Sequence, residues 1–198
     1  MKIGIFGGTF DPPHMGHLIL AEFVRDEMSL DYVWLAPALD PPHKLDRPKT
    51  PAHIRYRMVQ LACGDDPHIR PSDIDLTHNR RPSYTIDLLD EVSSQNPEHH
   101  FSLIIGSDSV LEFTTWKDWR QILERYEVIA LYRPDFDPRD ANPFVLEHIK
   151  FVRNPLIELS SSEIRRRIRE GRSVRFMVPT PVLDFIKENN LYCGGNPF

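Results

Sequence analysis

Gly7-Gly8-Thr9-Phe10-Asp11-Pro12-Pro13-His14-Met15-Gly16-His17 is the stretch around which this chain is built. Ahead of it, Ile3-Gly4-Ile5-Phe6 is an apolar run with Lys2 as the only nearby charge, which reads as a buried strand. Behind it, Leu18-Ile19-Leu20-Ala21-Glu22-Phe23-Val24-Arg25 has the spacing of an amphipathic helix. Strand, glycine turn, stiff loop and helix therefore follow one another, with two histidines at the helix entrance. Gly7 and Gly8 carry no Cβ, so the backbone there is expected to turn sharply and come close to a ligand. Pro12 and Pro13 fix φ and hold the loop in one shape. The first turn of a helix has unpaired N–H groups and a partial positive charge that suit a phosphate. His14 and His17, if both lie in that turn, share a face and can donate to phosphate oxygens or gain a proton.

The two common phosphate loops are absent: the chain has neither G-x-x-x-x-G-K-[ST] nor G-x-G-x-x-G. A bare H-x-x-H is also half of a metal site, but affinity needs a third ligand, and none sits nearby at helical spacing. No protein-held metal is expected. Taken whole, in its strand-loop-helix context, the stretch resembles the H-x-G-H signature of the nucleotidyltransferase superfamily.

A chain of 198 residues is long enough for a substantial core and is read as a single domain, 1–198, with a small helical part at about 160–192. Hydrophobic residues at 40% and charged residues at 27% are ordinary for a globular protein. A formal charge of −5 argues against non-specific nucleic-acid binding, which is driven by basic surface. Cys63 and Cys193 form no C-x-x-C and are expected to be reduced spectator thiols. The apolar run at the N-terminus is too short for a signal peptide, and no run approaches a membrane span. A soluble, cytoplasmic protein without membrane partners is expected, and a homo-oligomer is left open.

Along the chain, strands and helices alternate. Strands are expected at Tyr32 to Ala36, Ile69 to Leu76, Phe101 to Ile105 (ending at Gly106), Val128 to Tyr132 and Ile149 to Val152. Helices are expected after an N-cap Thr50 with Pro51 at the first position, and after an N-cap Ser83. The first would bury Ile54, Met58, Leu61 and Ala62; the second, Ile86, Leu88, Leu89 and Val92. A short helix and a tryptophan-bearing one follow Gly106, and Arg133 to Pro143 reads as loop. Ser160-Ser161-Ser162-Glu163 is a capping box, with Ser160 at N-cap and Glu163 at N3, and it opens a basic helix that stops at Gly171. Thr180-Pro181 caps a last helix, Val182 to Asn189. This alternation implies an α/β fold, a Rossmann-like doubly wound parallel sheet covered on both faces. Ligands in such sheets sit beyond the carboxyl ends of the strands, which gathers Gly7 to His17, Gly106 to Asp108 and Arg133 at one edge.

Four further clusters carry chemistry. The capped helix start at Ser161 is a second anion site, and Arg165, one turn in, offers a forked guanidinium. Arg166, Arg167 and Arg169 read as a solvated basic face. Ser160 to Arg165 looks like the second superfamily signature, I-S-S-T-x-x-R, with Leu159 in place of Ile and Ser162 in place of Thr. Pro41-Pro42-His43-Lys44 sets a lysine on a stiff proline loop. Arg81-Pro82-Ser83-Tyr84-Thr85 is a helix entrance suited to a small carboxylate. Gly106-Ser107-Asp108 with Trp116-Lys117 adds an indole that either stacks on a heteroaromatic ring or anchors the core.

Jointly, P-P-H-K, S-Y-T-x-D, G-x-D, T-W-K and L-S-S-S-E-I-R-R-R-I resemble one branch, the bacterial nicotinate mononucleotide adenylyltransferases, from residue 2 to about 192. Gly-Ser-Asp at 106–108 departs mildly from the commoner Gly-Ala-Asp. The resemblance implies adenylyl transfer from ATP to nicotinate mononucleotide, giving nicotinate adenine dinucleotide and pyrophosphate, with Mg²⁺ arriving with ATP. It implies that His14 and His17 donate to the triphosphate, with Arg165 and the helix start at Ser161 on the β- and γ-phosphates. Gly7, Gly8, Thr9 and Phe10 would floor the ATP site, with Gly106 and Asp108 beside the ribose and Arg133 at the adenine end. Thr9 and Lys44 would meet the mononucleotide, and Thr85 and Trp116 would hold its nicotinate. Pantetheine-phosphate adenylyltransferases share the two signatures but are not expected to carry Ser83-Tyr84-Thr85 with Trp116-Lys117. A regulator that binds nucleotide without turnover is a third reading, against which the intact His14, His17 and Arg165 speak.

Overall fold

Apolar strands that alternate with helices pair as a parallel sheet whose two faces the helices cover. The computed structural model, which describes residues 1–39, 50–77, 83–133 and 136–194, has that form. Among the described residues one sheet contains β1 (Lys2–Gly8), β2 (Tyr32–Pro37), β3 (Ile69–Pro71), β4 (His100–Gly106), β5 (Glu127–Leu131) and β6 (Ile149–Val152). Their order is β3-β2-β1-β4-β5-β6, and every neighbouring pair is parallel. The order reverses between β1 and β4, so the loops leaving their carboxyl ends diverge and open a crevice there.

One face of the sheet, with Ile3, Ile5, Leu103, Ile105, Val128 and Ala130, packs on four helices. These are α4 (Thr85–Gln95), α5 (Ser107–Glu112), α6 (Trp119–Arg125) and α7 (Pro143–His148). The other face, with Phe6, Val33, Leu35, Ile104 and Ile129, packs on Ala21 and Val24 of α1 (Met15–Glu27) and on Val59 and Cys63 of α2 (Ala52–Cys63). Met58, on the far side of α2, meets Ile164 of α8 (Ser161–Arg169) together with Val182 and Ile186 of α9 (Thr180–Glu188). The C-terminal helices dock on α2, and the start of α8 reaches the crevice. Both cysteines are free, and burial pushes the Cys63 thiol up to about 12. No helix among the described residues is long and apolar enough to cross a membrane.

Several local expectations shift. The Ile69-to-Leu76 strand stops at Pro71, and Ile74–Thr77 forms a helical turn, α3. A proline without an N–H ends that edge strand, and the alternation at Ile74-Asp75-Leu76 is too short to outweigh it. Pro51, not Thr50, caps α2; Tyr84, not Ser83, caps α4; Pro179 precedes α9, which begins at Thr180. Thr50 and Ser83 make tertiary hydrogen bonds instead: the Thr50 N–H donates to Asp11, and the Ser83 hydroxyl donates to Asp75. Ile54, Leu61, Ala62 and Leu88 are only partly buried. The loop expected over Arg133 to Pro143 runs into α7, capped by Asn142, whose side chain accepts from the N–H groups of Phe144 and Val145. Ser160 caps α8 as expected, accepting from the Glu163 N–H, but the reciprocal half of the box is absent. Glu163 pairs with Arg166 at 2.7 Å instead.

Candidate active site

The crevice at the reversal point is a single cavity of about 650 Å³, lined by residues 5–11, His14 and His17, by the starts of α4 and α5, and by Ser160–Ser162 with Arg165. Every expected site residue among those described lies on its wall: Gly7, Gly8, Thr9, Phe10, His14, His17, Thr85, Gly106, Asp108, Trp116, Arg133, Ser161 and Arg165. Lys44 lies outside the described residues.

The turn after β1 is not made where the glycines suggested. Gly7 and Gly8 remain in the strand, and the left-handed residue is Phe10, at φ 49°. Its ring packs beneath the loop, so close that a Cβ on Gly8 would lie 2.9 Å from it. A Cβ on Gly7 would meet nothing, which leaves that backbone open to a ligand. The Asp11–Pro12 bond is cis.

His14 is the N-cap of α1 and His17 its N3 residue, and their rings stack at 3.6 Å with 18° between planes. Gly16 permits this, because a Cβ there would lie 3.1 Å from both His14 Nδ1 and Ile157. The His14 backbone N–H donates to His17 Nδ1 at 3.1 Å, which puts the His17 proton on Nε2. His14 Nδ1 is buried without a partner. The reciprocal cap nevertheless turns the His14 side chain toward the His17 N–H, the donor it would accept from, which assigns the His14 proton to Nε2 as well. Burial first, then the Arg133 charge, lowers His14 to about 4. Burial, His14 and Arg133 hold His17 well below its ordinary value. Near neutrality both rings are therefore uncharged N–H donors, where either protonation state had been open.

The helix-start amides are only partly available, since Met15 N–H donates to Met177 O at 2.9 Å. Arg165 is less free than its sequence position suggested. Its Nη1 donates to Asp11 O at 2.7 Å and its Nη2 to Ser162 Oγ at 3.2 Å, leaving three of five donor hydrogens for the cavity. The Ser161 hydroxyl donates to Pro12 O at 2.8 Å. Together these bonds sew the start of α8 onto the histidine loop. Arg166 and Arg167 lie outside the site, engaged with Glu163, Glu170 and Ser173 O.

At the far side of the phosphate end, Arg133 Nε pairs with Asp108 Oδ1 at 3.2 Å. Gly106 leaves room for the pair, as a Cβ there would overlap Asp108 and lie 2.8 Å from Arg133 Nε. The opposite end of the cavity is flat and aromatic. Trp116 stacks on Phe113 at 5.0 Å and also faces the cavity, so core anchor and cavity wall are one residue. Lys117 pairs with Asp87 at 2.9 Å and lies 4.7 Å from the Tyr84 ring centre. Thr85 is the first residue of α4, whose opening N–H groups have no intrahelical partner. Asp11 and Asp75 were missed as participants. Asp11 stood in plain view in the loop, whereas Asp75 was hidden by the strand reading.

The sequence profile of the cytidylyltransferase-like family matches residues 5–167. A protein of Exiguobacterium sibiricum described as a "probable nicotinate-nucleotide adenylyltransferase" is 40% identical over 97% of this chain and 99% of its own length. A Thermus thermophilus protein with the same description is 40% identical over 97% of this chain and 100% of its own. Among solved structures, the Plasmodium falciparum nicotinic acid mononucleotide adenylyltransferase complexed with NaAD has a similar fold. Its TM-score is 0.78 at 20% identity, over 96% of this chain and 97% of that one.

Proposed function

The chain belongs to the cytidylyltransferase-like family and, within it, to the nicotinate-nucleotide adenylyltransferases, and on that premise we propose the following reaction for its cavity. It transfers the adenylyl group of ATP to nicotinate mononucleotide, yielding nicotinate adenine dinucleotide and pyrophosphate, a step of NAD biosynthesis. An oxygen of the mononucleotide 5′-phosphate attacks the α-phosphorus. The bond from that phosphorus to the β-bridging oxygen breaks, and its electrons leave with pyrophosphate.

The observation that carries this reading is the lining of one continuous cavity, which joins the His14, His17, Ser161 and Arg165 donors to Trp116 and the start of α4 at Thr85. A phosphate monoester is already an anionic nucleophile, so the protein's work is alignment and charge stabilisation. His14 and His17 donate from Nε2–H to the triphosphate, with His17 nearer the α-phosphate. Arg165 and the amides at Ser161 take the β- and γ-phosphates. Gly7, Gly8, Thr9 and Phe10 form the floor, Gly106 and Asp108 flank the ribose, and Arg133 is at the adenine end. Trp116 stacks on the pyridine ring, and the N–H groups at Thr85 receive its carboxylate. Lys44 is assigned to the mononucleotide phosphate from sequence. Magnesium enters as part of the substrate, MgATP; among the described residues no three His, Cys, Asp or Glu side chains gather to cage an ion.

The test is pyrophosphate release with MgATP and either nicotinate or nicotinamide mononucleotide. A large preference for the acid is expected. Equal use would remove the carboxylate role of the Thr85 amides, and no release with either would overturn the reaction.

A further inference from the structure

The histidine loop carries two adjacent prolines, which have no N–H, so its carbonyls cannot all be satisfied by neighbouring backbone. Donors must come from elsewhere: Arg165 and Ser161 serve Asp11 O and Pro12 O, and Arg55 reaches Thr9 O from behind the cavity wall. Arg55, on α2, is the largest fully buried side chain among the described residues, 1% exposed. Its Nη1 donates to Thr9 O at 2.8 Å, its Nε to Thr50 O at 2.9 Å and its Nη2 to Leu39 O at 3.1 Å. Burying a guanidinium is costly unless its rigid fork is matched by acceptors, and here three carbonyls from three separate segments match it. The same segments are locked a second time. Thr50 N–H donates to Asp11 Oδ2 at 3.4 Å, and Leu39 N–H to Asp75 Oδ2 at 2.7 Å.

From the other side, Tyr192 brings the C-terminal segment into the network. Its hydroxyl donates to Asp11 Oδ1 at 2.7 Å, and its backbone is held left-handed at φ 64°. A left-handed tyrosine is sterically disfavoured and persists only when its surroundings dictate it. Neither Arg55 nor Tyr192 lines the cavity. Yet between them they grip Thr9 and Asp11, the residues that set the direction in which the chain enters α1 and its histidine pair.

We propose that Arg55 and Tyr192 are positioning residues, which hold the Thr9–Asp11 turn in register with Leu39 and Thr50 and thereby aim His14 and His17 at the reacting phosphorus. The inference rests on the adenylyl-transfer reading and adds to it a cause for the alignment. Substrate contacts stay in place when either residue is altered, while the relative placement of attacking and attacked groups loosens. Displacements of about 1 Å at such a distance from the chemistry cost on the order of a hundredfold in rate. The signature is therefore a fall in kcat with little change in KM.

Tyr192→Phe removes one hydroxyl from a ring that stays buried, and Arg55→Lys keeps the charge but loses the fork. In pyrophosphate release with MgATP and nicotinate mononucleotide, Tyr192→Phe is expected to lower kcat about tenfold or more and Arg55→Lys further, with KM values within about threefold of wild type. Hydrogen exchange followed by mass spectrometry should show faster exchange in the peptide covering residues 7–17, with β4 and β5 unchanged. Wild-type kcat with unchanged exchange over 7–17 in folded Tyr192→Phe would overturn the proposal. So would a drop in unfolding midpoint alone, with kcat per folded molecule preserved. If Arg55→Lys fails to fold, Tyr192→Phe decides. If the wild-type protein releases no pyrophosphate, the reaction falls, and the exchange of residues 7–17 still decides the positioning role.

Discussion

Replace His14 with asparagine and follow folding stability from pH 7 down to pH 4. In the native protein burial, aided by the Arg133 charge, takes His14 from 6.5 to about 4. An unfolded chain binds a proton at this residue below about 6.5, and the native chain does so only near 4. Within that window unfolding takes up a proton, so stability is complete above pH 6.5, declines as the pH falls toward 4 and levels off below. A gap of about 2.5 pH units at about 1.36 kcal/mol each amounts to on the order of 3 kcal/mol. His17 is displaced in the same direction and adds to the decline. Asparagine does not titrate and is itself a favoured N-cap, so the variant should fold at neutral pH. Urea unfolding at pH 7, 6, 5 and 4 measures both proteins. Wild type should lose on the order of 3 kcal/mol more than His14→Asn across the series. Parallel pH profiles would refute a buried neutral His14, and with it the claim that the site meets phosphates with uncharged donors.

His17→Ala, which removes one preorganised phosphate donor, should reduce kcat by on the order of a hundredfold or more in a protein that still folds, with a lowered unfolding midpoint because the His14 N–H loses its acceptor; near-normal turnover would remove His17 from the chemistry. Gly106→Ala drives a methyl into the space held by the Asp108–Arg133 pair. Both side chains are about half exposed or more and can swing outward, so thermal stability should change little while KM for ATP rises several-fold. An unchanged KM would show that the pair is not part of the ATP site.

How much of this was legible in the chain depends on the range of the forces involved. Strand β1, helix α1 and their connecting loop were readable because apolar periodicity and proline stiffness act over a few residues. The Ser160 cap was readable for the same reason, being a bond to a residue three positions on. The same local reading failed at Thr50 and Ser83. Both look like N-caps, yet their hydrogen bonds go to Asp11 and Asp75, partners that local rules do not weigh. It failed again at Gly7 and Gly8, because packing beneath the loop moved the left-handed turn to Phe10.

The sequence by itself determined the doubly wound class, the motifs that resemble the nucleotidyltransferase signatures, and a polar set of residues that all meet on the cavity wall. The first follows from short-range periodicity and the others from resemblance of local motifs, and both survive whatever the distant packing does. Only the tertiary structure decided the state of those residues. It made the two histidines neutral Nε2 donors by burying and stacking them, and it committed part of Arg165 to Asp11 O. It also let Trp116 serve core and cavity together. Arg55 and Tyr192 belong to this second group. Along the chain each stands 46 or more positions from the loop residue that it holds, and no periodicity connects them. Their roles exist only because the docking of α2 brings Arg55 to the Thr9 carbonyl, and the docking of the C-terminal segment brings the Tyr192 hydroxyl to the Asp11 carboxylate.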